Sequence, residues 1–205
     1  LTLGSRANAL ARHDSTALSS GARYSRACRA PPDPAQFARA TARESPMSDL
    51  ESMAMLERRR IEAAMLKHVY DVLKASHGVE AAQRTIAEAV RKSAMEQGRQ
   101  MAEAQGPERS LETFIEGHEP WLRGDALTIE VEERSAGRYR YNVTRCKYAE
   151  MYRDMGLGEI GHLLSCQRDA TFCEGYDPRL KLERTQTLMQ GASHCDFDYT
   201  FEKEG

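Results

Sequence analysis

Apolar residues recur along the chain in two rhythms. From Ser48 to Ala75 they fall at mostly helical spacings, at Met53, Leu56, Ile61, Met65, Val69, Val72 and Leu73, with Glu57, Arg58, Arg59 and Glu62 between them. Ser48, three residues before Glu51, reads as a capping box, and Gly78 supplies the stop. A second helix is predicted over 79–104, through Val79, Ala82, Ile86, Ala89, Val90 and Met101, and Gly106-Pro107 breaks it. A third, shorter one runs over 109–120, with Leu111, Phe114 and Ile115, and ends at Pro120. The methionines of this region, such as Met65 and Met95, read as adaptable core filling.

The period then switches to two. Leu127, Ile129 and Val131 alternate with Thr128, Glu130 and Glu132, Ser135-Ala136-Gly137 turns the chain, and Tyr139, Tyr141 and Val143 alternate with Arg138, Arg140 and Asn142. This is a hairpin with one buried and one wet face. A helix follows over 146–155, and another over 159–174 after Gly156-Leu157-Gly158. Residues 180–189 and 194–201 read as strands joined by Gly191-Ala192-Ser193. The fold class is α+β: N-terminal helices, then a mainly antiparallel sheet of about four strands with helices packed on one face.

Charge divides the chain. Over 205 residues the formal net charge is −2, but residues 1–46 hold seven Arg, no Lys and three acids, a surplus of +4. This segment is rich in Ala, Arg and Ser, holds Pro31, Pro32, Pro34 and Pro46, and lacks apolar periodicity, so it is expected to be a disordered leader. The first residue is Leu1, and Met47 is the expected natural start; an organellar transit peptide is the second reading of the same composition. Residues 47–205 then form a single α+β domain. The near-zero total excludes a dedicated nucleic-acid binder, and no run approaches the ~18 apolar residues of a membrane helix. Five cysteines in a chain this long suit reduced thiols and a cytoplasmic protein better than a disulfide scaffold.

Four of those cysteines lie between 146 and 195. In the last strand Cys195, Phe197, Tyr199 and Phe201 share the face that must look inward, while His194, Asp196, Asp198 and Thr200 share the other. Leu163, Cys166, Ala170 and Cys173 are spaced as one buried helical stripe. Cys146 sits where a strand gives way to a helix, between Arg145 and Lys147, a setting that favours a thiolate. Cys173 reads as a buried small hydrophobe, whereas Cys146, Cys166 and Cys195 are candidate nucleophiles. His194 adjoins Cys195 but, in a regular strand, points away from it, so the two pair only across a bulge. On the strand before, Arg184 and Gln186 interrupt an apolar face; Arg184 suits either a ligand carboxylate or an internal bridge to Asp169 or Glu174. No CxxC pair exists; zinc could still gather distant thiols, but no cofactor is expected.

Several ordered motifs carry a resemblance. They are Asn142-Val-Thr-Arg-Cys146-Lys-Tyr-Ala-Glu150, Leu164-Ser-Cys166-Gln-Arg-Asp169, Phe172-Cys-Glu174-Gly175-Tyr, Arg184-Thr-Gln186-Thr and Gly191-Ala-Ser193-His194-Cys195-Asp196-Phe197. Together they resemble the L-2-amino-thiazoline-4-carboxylic acid hydrolase family over residues 48–201. The resemblance implies hydrolytic opening of a thiazoline ring to N-carbamoyl-L-cysteine, a step in cysteine formation. The C-terminal pattern is also similar to the four-vinyl-reductase type of small-ligand domain, although Thr187 stands where that type tends to carry a further Cys.

Ring opening needs a nucleophile at the amidine-like carbon, a proton donor for the leaving atom and an anchor for the carboxylate. Cys166 or Cys195 could attack with His194 as acid and base, and Cys146 is a third candidate. Alternatively Asp169 or Glu174 activates water. Arg145 or Arg184, with Gln186, would hold the substrate. The same pocket without turnover would make a ligand-sensing module. The expected partners are a small-molecule substrate and a second copy of the chain, paired through the N-terminal helices, with no nucleic acid and no membrane.

Overall fold

A computed structural model of the chain describes residues 53–202. The arginine-rich leader, the Ser48/Glu51 cap and the boundary at Met47 lie outside the described residues. The first helix, α1 (Met55–His77), has Glu57 in its first turn and Lys74 and His77 in its last, which suits the helix dipole. Gly78, at φ +84°, breaks the helix and lets α2 (Val79–Gln105) start at once. Positive-φ Gly106 ends α2.

The predicted third helix is two pieces, α3 (Leu111–Glu116) and α4 (Glu119–Leu122). Ser110 and Thr113 cap α3 reciprocally. Pro120 starts α4 rather than stopping a helix, because the first turn needs no proline N–H. His118 therefore stands at the joint.

Strands β1 (Leu127–Arg134) and β2 (Arg138–Cys146) form the expected hairpin. Next come α5 (Lys147–Asp154), a π-helical turn (His162–Cys166) that runs into α6 (Gln167–Tyr176), β3 (Leu180–Glu183), a 3-10 turn (Leu188–Gln190) and β4 (Cys195–Phe201). The sheet is antiparallel throughout, in the order β1-β2-β4-β3. The α+β class with four strands is as predicted. Register puts Tyr139, Tyr141 and Val143 opposite Tyr199, Phe197 and Cys195, so the apolar set lies on one face. Arg140 and Asn142, opposite Asp198 and Asp196, lie on the other.

Three predicted details are corrected. On α1 the buried stripe is Met55, Arg59, Ala63 and Tyr70, while Ile61, Met65 and Val72 are 60%, 67% and 67% exposed. Their helical spacing marks a second, exposed stripe rather than the core face. On α6 the π-helical turn takes in an extra residue and rotates the residues after it. Leu164, Arg168, Phe172 and Tyr176 become buried and Ala170 is exposed, so the predicted stripe through Ala170 does not form. Finally, the strand predicted over 180–189 stops at Glu183. Asp196 accepts the backbone N–H of Thr185 (3.0 Å) and of Gln186 (2.8 Å), which takes those groups out of the ladder.

Helix α2 crosses α6 at close range because Gly98 and Gly175 face it without side chains. A Cβ at Gly98 would strike the Phe172 carbonyl, and one at Gly175 would strike that of Met95. The glycine after Glu174 is thus a packing requirement. This crossing and the sheet's apolar face enclose the second half of the core, around Phe114, Phe172, Tyr176 and Tyr199. Among the described residues no helix is long and apolar enough to cross a membrane.

Candidate functional site

Where α3, α4, α6 and the sheet converge, aromatic side chains leave space between them. A cavity partly open to solvent is walled by Phe114, Trp121, Tyr141, Phe197 and Tyr199. The Tyr141 and Phe197 rings stack at 4.9 Å as cross-strand partners. Two polar side chains enter this apolar space, Asp169 and His118. A smaller cavity shares His118, Trp121, Asp169 and Tyr199 with the first and adds Arg59 and Phe172.

Asp169 lies in the first turn of α6. Its Oδ2 accepts from Arg184 Nη1 at 2.5 Å, and Arg184 Nη2 donates to the Cys166 carbonyl at 2.5 Å. The Arg184 guanidinium also lies 4.9 Å from the Phe197 ring centre. Burial works against the Arg184 charge, but the Asp169 carboxylate outweighs it and holds the guanidinium's pKa above the ordinary arginine range. Of the two roles open to Arg184, the internal bridge to Asp169 is the one formed.

His118 is half-buried between Phe114, at 4.2 Å, and Trp121, at 5.2 Å between ring centres. Its Nδ1 is 3.0 Å from the Phe114 carbonyl. A carbonyl only accepts, so Nδ1 carries the hydrogen and Nε2 the lone pair. Burial lowers its pKa below 6.5, against the weaker pull of the Phe114 carbonyl and Asp169. His118 is therefore a neutral imidazole at neutral pH. Burial likewise raises the Tyr141 and Tyr199 hydroxyls far above the ordinary phenol range, leaving both protonated.

The three candidate cysteines do come together. Cys146, Cys166 and Cys195 line a separate small cavity, with Tyr152, Ser165 and Met189. Their setting disfavours the thiolate. Burial pushes Cys146 up to about 11 and Cys166 to about 12, and it raises Cys195 despite the Leu188 N–H that donates to its sulfur at 3.1 Å. The cations expected to activate Cys146 are engaged elsewhere. Arg145 donates to both carboxylate oxygens of Glu150, at 2.8 and 3.0 Å, and Lys147 donates to the Gly124 carbonyl.

The remaining predicted residues stand apart from these cavities. Arg145 and Glu174 are exposed. His194 lies in the bend just before β4, and its ring meets Gln186 Nε2 at 2.7 Å and Ser193 Oγ at 2.9 Å rather than the Cys195 sulfur, which takes the Leu188 N–H. Among the described residues no three His, Cys, Asp or Glu side chains gather to hold a metal ion.

His118, Trp121 and Arg59 carried no signal in the apolar pattern. His118 lies between Gly117 and Pro120, a break that marks a joint where a side chain can leave the helix register. Arg59 is hidden within the run Arg58-Arg59-Arg60.

Among solved structures the chain is similar to the phenol-responsive sensory domain of the transcription activator PoxR with phenol. The TM-score is 0.44 at 13% identity, covering 68% of this chain and 73% of that one. It is also similar to a trafficking protein particle complex subunit 3 from Naegleria fowleri covalently bound to palmitic acid. There the TM-score is 0.44 at 12% identity, over 71% of this chain and 96% of that one. No curated protein matches. A family model matches residues 58–199, which hold the helices, the whole aromatic cavity and the three thiols, and the chain belongs to the L-2-amino-thiazoline-4-carboxylic acid hydrolase family.

Proposed function

We propose that this chain opens the ring of a small cyclic amidine acid by adding water. L-2-amino-thiazoline-4-carboxylate, giving N-carbamoyl-L-cysteine, is the substrate the family suggests. The observation that supports this reading is the placement of one carboxylate and one neutral imidazole in an aromatic-walled space. The planar amidine unit of such a ring suits stacking against Tyr141 and Phe197. Asp169 accepts hydrogen bonds from the N–H groups of the protonated amidine, and its charge stabilises that cation, the form in which the carbon between the nitrogens is most open to attack.

His118 Nε2 takes a proton from water as the water oxygen bonds to that carbon. The carbon–sulfur bond then breaks as the new carbonyl forms, the second water proton passes to solvent in place of the one that protonated the amidine nitrogen, and the imidazolium returns a proton to the departing sulfur. The route through water needs no thiolate, and the cysteines shape the wall behind Asp169. Its protein machinery is His118 and Asp169, with Arg184 positioning Asp169.

The test is the purified chain with the thiazoline acid, following carbamoyl product and free thiol. Equal amounts of both, dependent on enzyme, are expected. Saturable binding with neither product would leave the second reading, a ligand-binding domain without turnover. The four described cysteines are unpaired, which suits the reducing cytoplasm.

A further inference from the structure

The inner end of the site holds an unbalanced positive charge. Arg59 and Arg168 are 3% and 6% exposed, values that such residues reach only with partners. Their shared carboxylate is Glu62. Arg59 Nη1 donates to its Oε2 at 2.6 Å, and Arg168 Nη1 stands 3.8 Å from the same oxygen. Arg58 draws on Glu62 as well, with Nε 3.4 Å from Oε1. The other partners are neutral. Gln97 Oε1 accepts from Arg59 Nη2 at 2.8 Å and from Arg168 Nη2 at 3.0 Å, and Ser93 Oγ lies 3.3 Å from Arg168 Nη2.

Among the described residues one carboxylate thus bridges to three guanidiniums, two of them buried. Burial, then the neighbouring Arg59, lowers the Arg168 pKa to about 10. The next carboxylate inward, Asp169, is held by Arg184. A buried charge without a full counter-ion is costly, and an anionic ligand would offset that cost.

The cavity supplies the place for such a ligand. Arg59 lines the smaller cavity with Asp169 and His118, so one small space presents a guanidinium and a carboxylate committed to other partners. We infer that Arg59, backed by Arg168, is the anion-binding end of the site and receives the carboxylate of a small ring acid. This rests on the proposed hydrolase reading for the ring, but not for the anion. It gives the amidine end to Asp169 and the acid end to Arg59, and it replaces Arg145 and Arg184 as carboxylate anchors.

The experiment uses a ring acid that cannot be hydrolysed. Thiazolidine-4-carboxylate and its carboxamide are titrated calorimetrically into the full chain, Arg59→Met and Glu62→Gln. The wild type should prefer the acid by about tenfold or more, the scale of one charge-assisted hydrogen bond. Arg59→Met should bring that preference close to unity while leaving the amide's affinity unchanged. Glu62→Gln removes the competing carboxylate, so it should tighten the acid and not the amide, a gain that misfolding cannot imitate. Equal affinity for acid and amide in the wild type, or a preference that survives Arg59→Met, overturns the inference. If Arg59→Met does not fold, an unchanged acid affinity in Glu62→Gln overturns it. Turnover of the thiazoline acid is measured in parallel. Acid preference with no turnover removes the hydrolase reading and keeps the anion site.

Discussion

Two cavities lie along the same stretch of chain around residues 166–169, and they differ in kind. The thiol cavity gathers three potential nucleophiles but buries them: burial holds Cys146 and Cys166 at about 11 and 12, outweighing the pull of Arg184 on Cys166 and Cys195, and the adjacent Arg145 and Lys147 are engaged elsewhere. The aromatic cavity gathers fewer reactive groups but keeps them in usable states, a carboxylate oriented by Arg184 and an imidazole held neutral with a fixed tautomer. Reactivity follows the electrostatic setting of a group more closely than its intrinsic nucleophilicity. Cysteines brought together by folding can be wall rather than machinery.

The comparison breaks or sharpens under substitution. The largest effect is expected at His118, where His118→Gln should lower kcat about 100-fold to 10,000-fold, the usual worth of a general base, with little change in KM. Asp169→Asn should follow, at about 100-fold in kcat/KM. It also strips Arg184 of its counter-ion, so a lowered melting temperature should accompany the kinetic loss. Cys166→Ser and Cys195→Ser should each keep turnover within about threefold. Placing a hydroxyl in an apolar wall costs about 1 kcal/mol, read as about 2–4 °C in melting temperature. Should either serine variant lose activity on the scale of His118→Gln while staying folded, the thiol cavity would be the reactive one. The smallest effects belong to Glu174→Gln and Arg145→Gln, both exposed, which should match the wild type in kcat/KM.

The fold was legible wherever one periodicity held over a whole element. β2 and β4 kept period two, and their register brought Tyr141, Phe197 and Tyr199 onto one face as the alternation required, whereas β1 shifts register against β2 twice and leaves Val131, expected on the buried face, exposed. Legibility failed where a tertiary contact outranked the local pattern. On α1 a buried Arg59 displaced Ile61 and Met65 from the core side, because Glu62 and Gln97 supply partners that spacing cannot show. The π-helical turn shifted α6 out of phase, burying Arg168 and exposing Ala170.

The site was half visible. The Asp169–Arg184 bridge was among the pairings open to Arg184, and Cys146, Cys166 and Cys195 share one cavity. His118 and Arg59 reach that region from 51 and 110 residues before Asp169, distances over which no local pattern speaks. The protonation states were hidden as well, since they depend on burial that only the folded chain defines.

The most direct test of the central claim is the pH profile of kcat/KM from about pH 5 to pH 10. A neutral His118 with a pKa below 6.5 predicts a plateau through neutral and mildly alkaline pH, an acid limb only below about pH 6.5, and loss of that limb in His118→Gln. The fold should weaken in the same acid range, because the unfolded chain binds a proton near pH 6.5 that the folded chain does not. A rate that instead climbs about tenfold per pH unit towards the raised cysteine values, and stops climbing in Cys166→Ser or Cys195→Ser, would contradict the account.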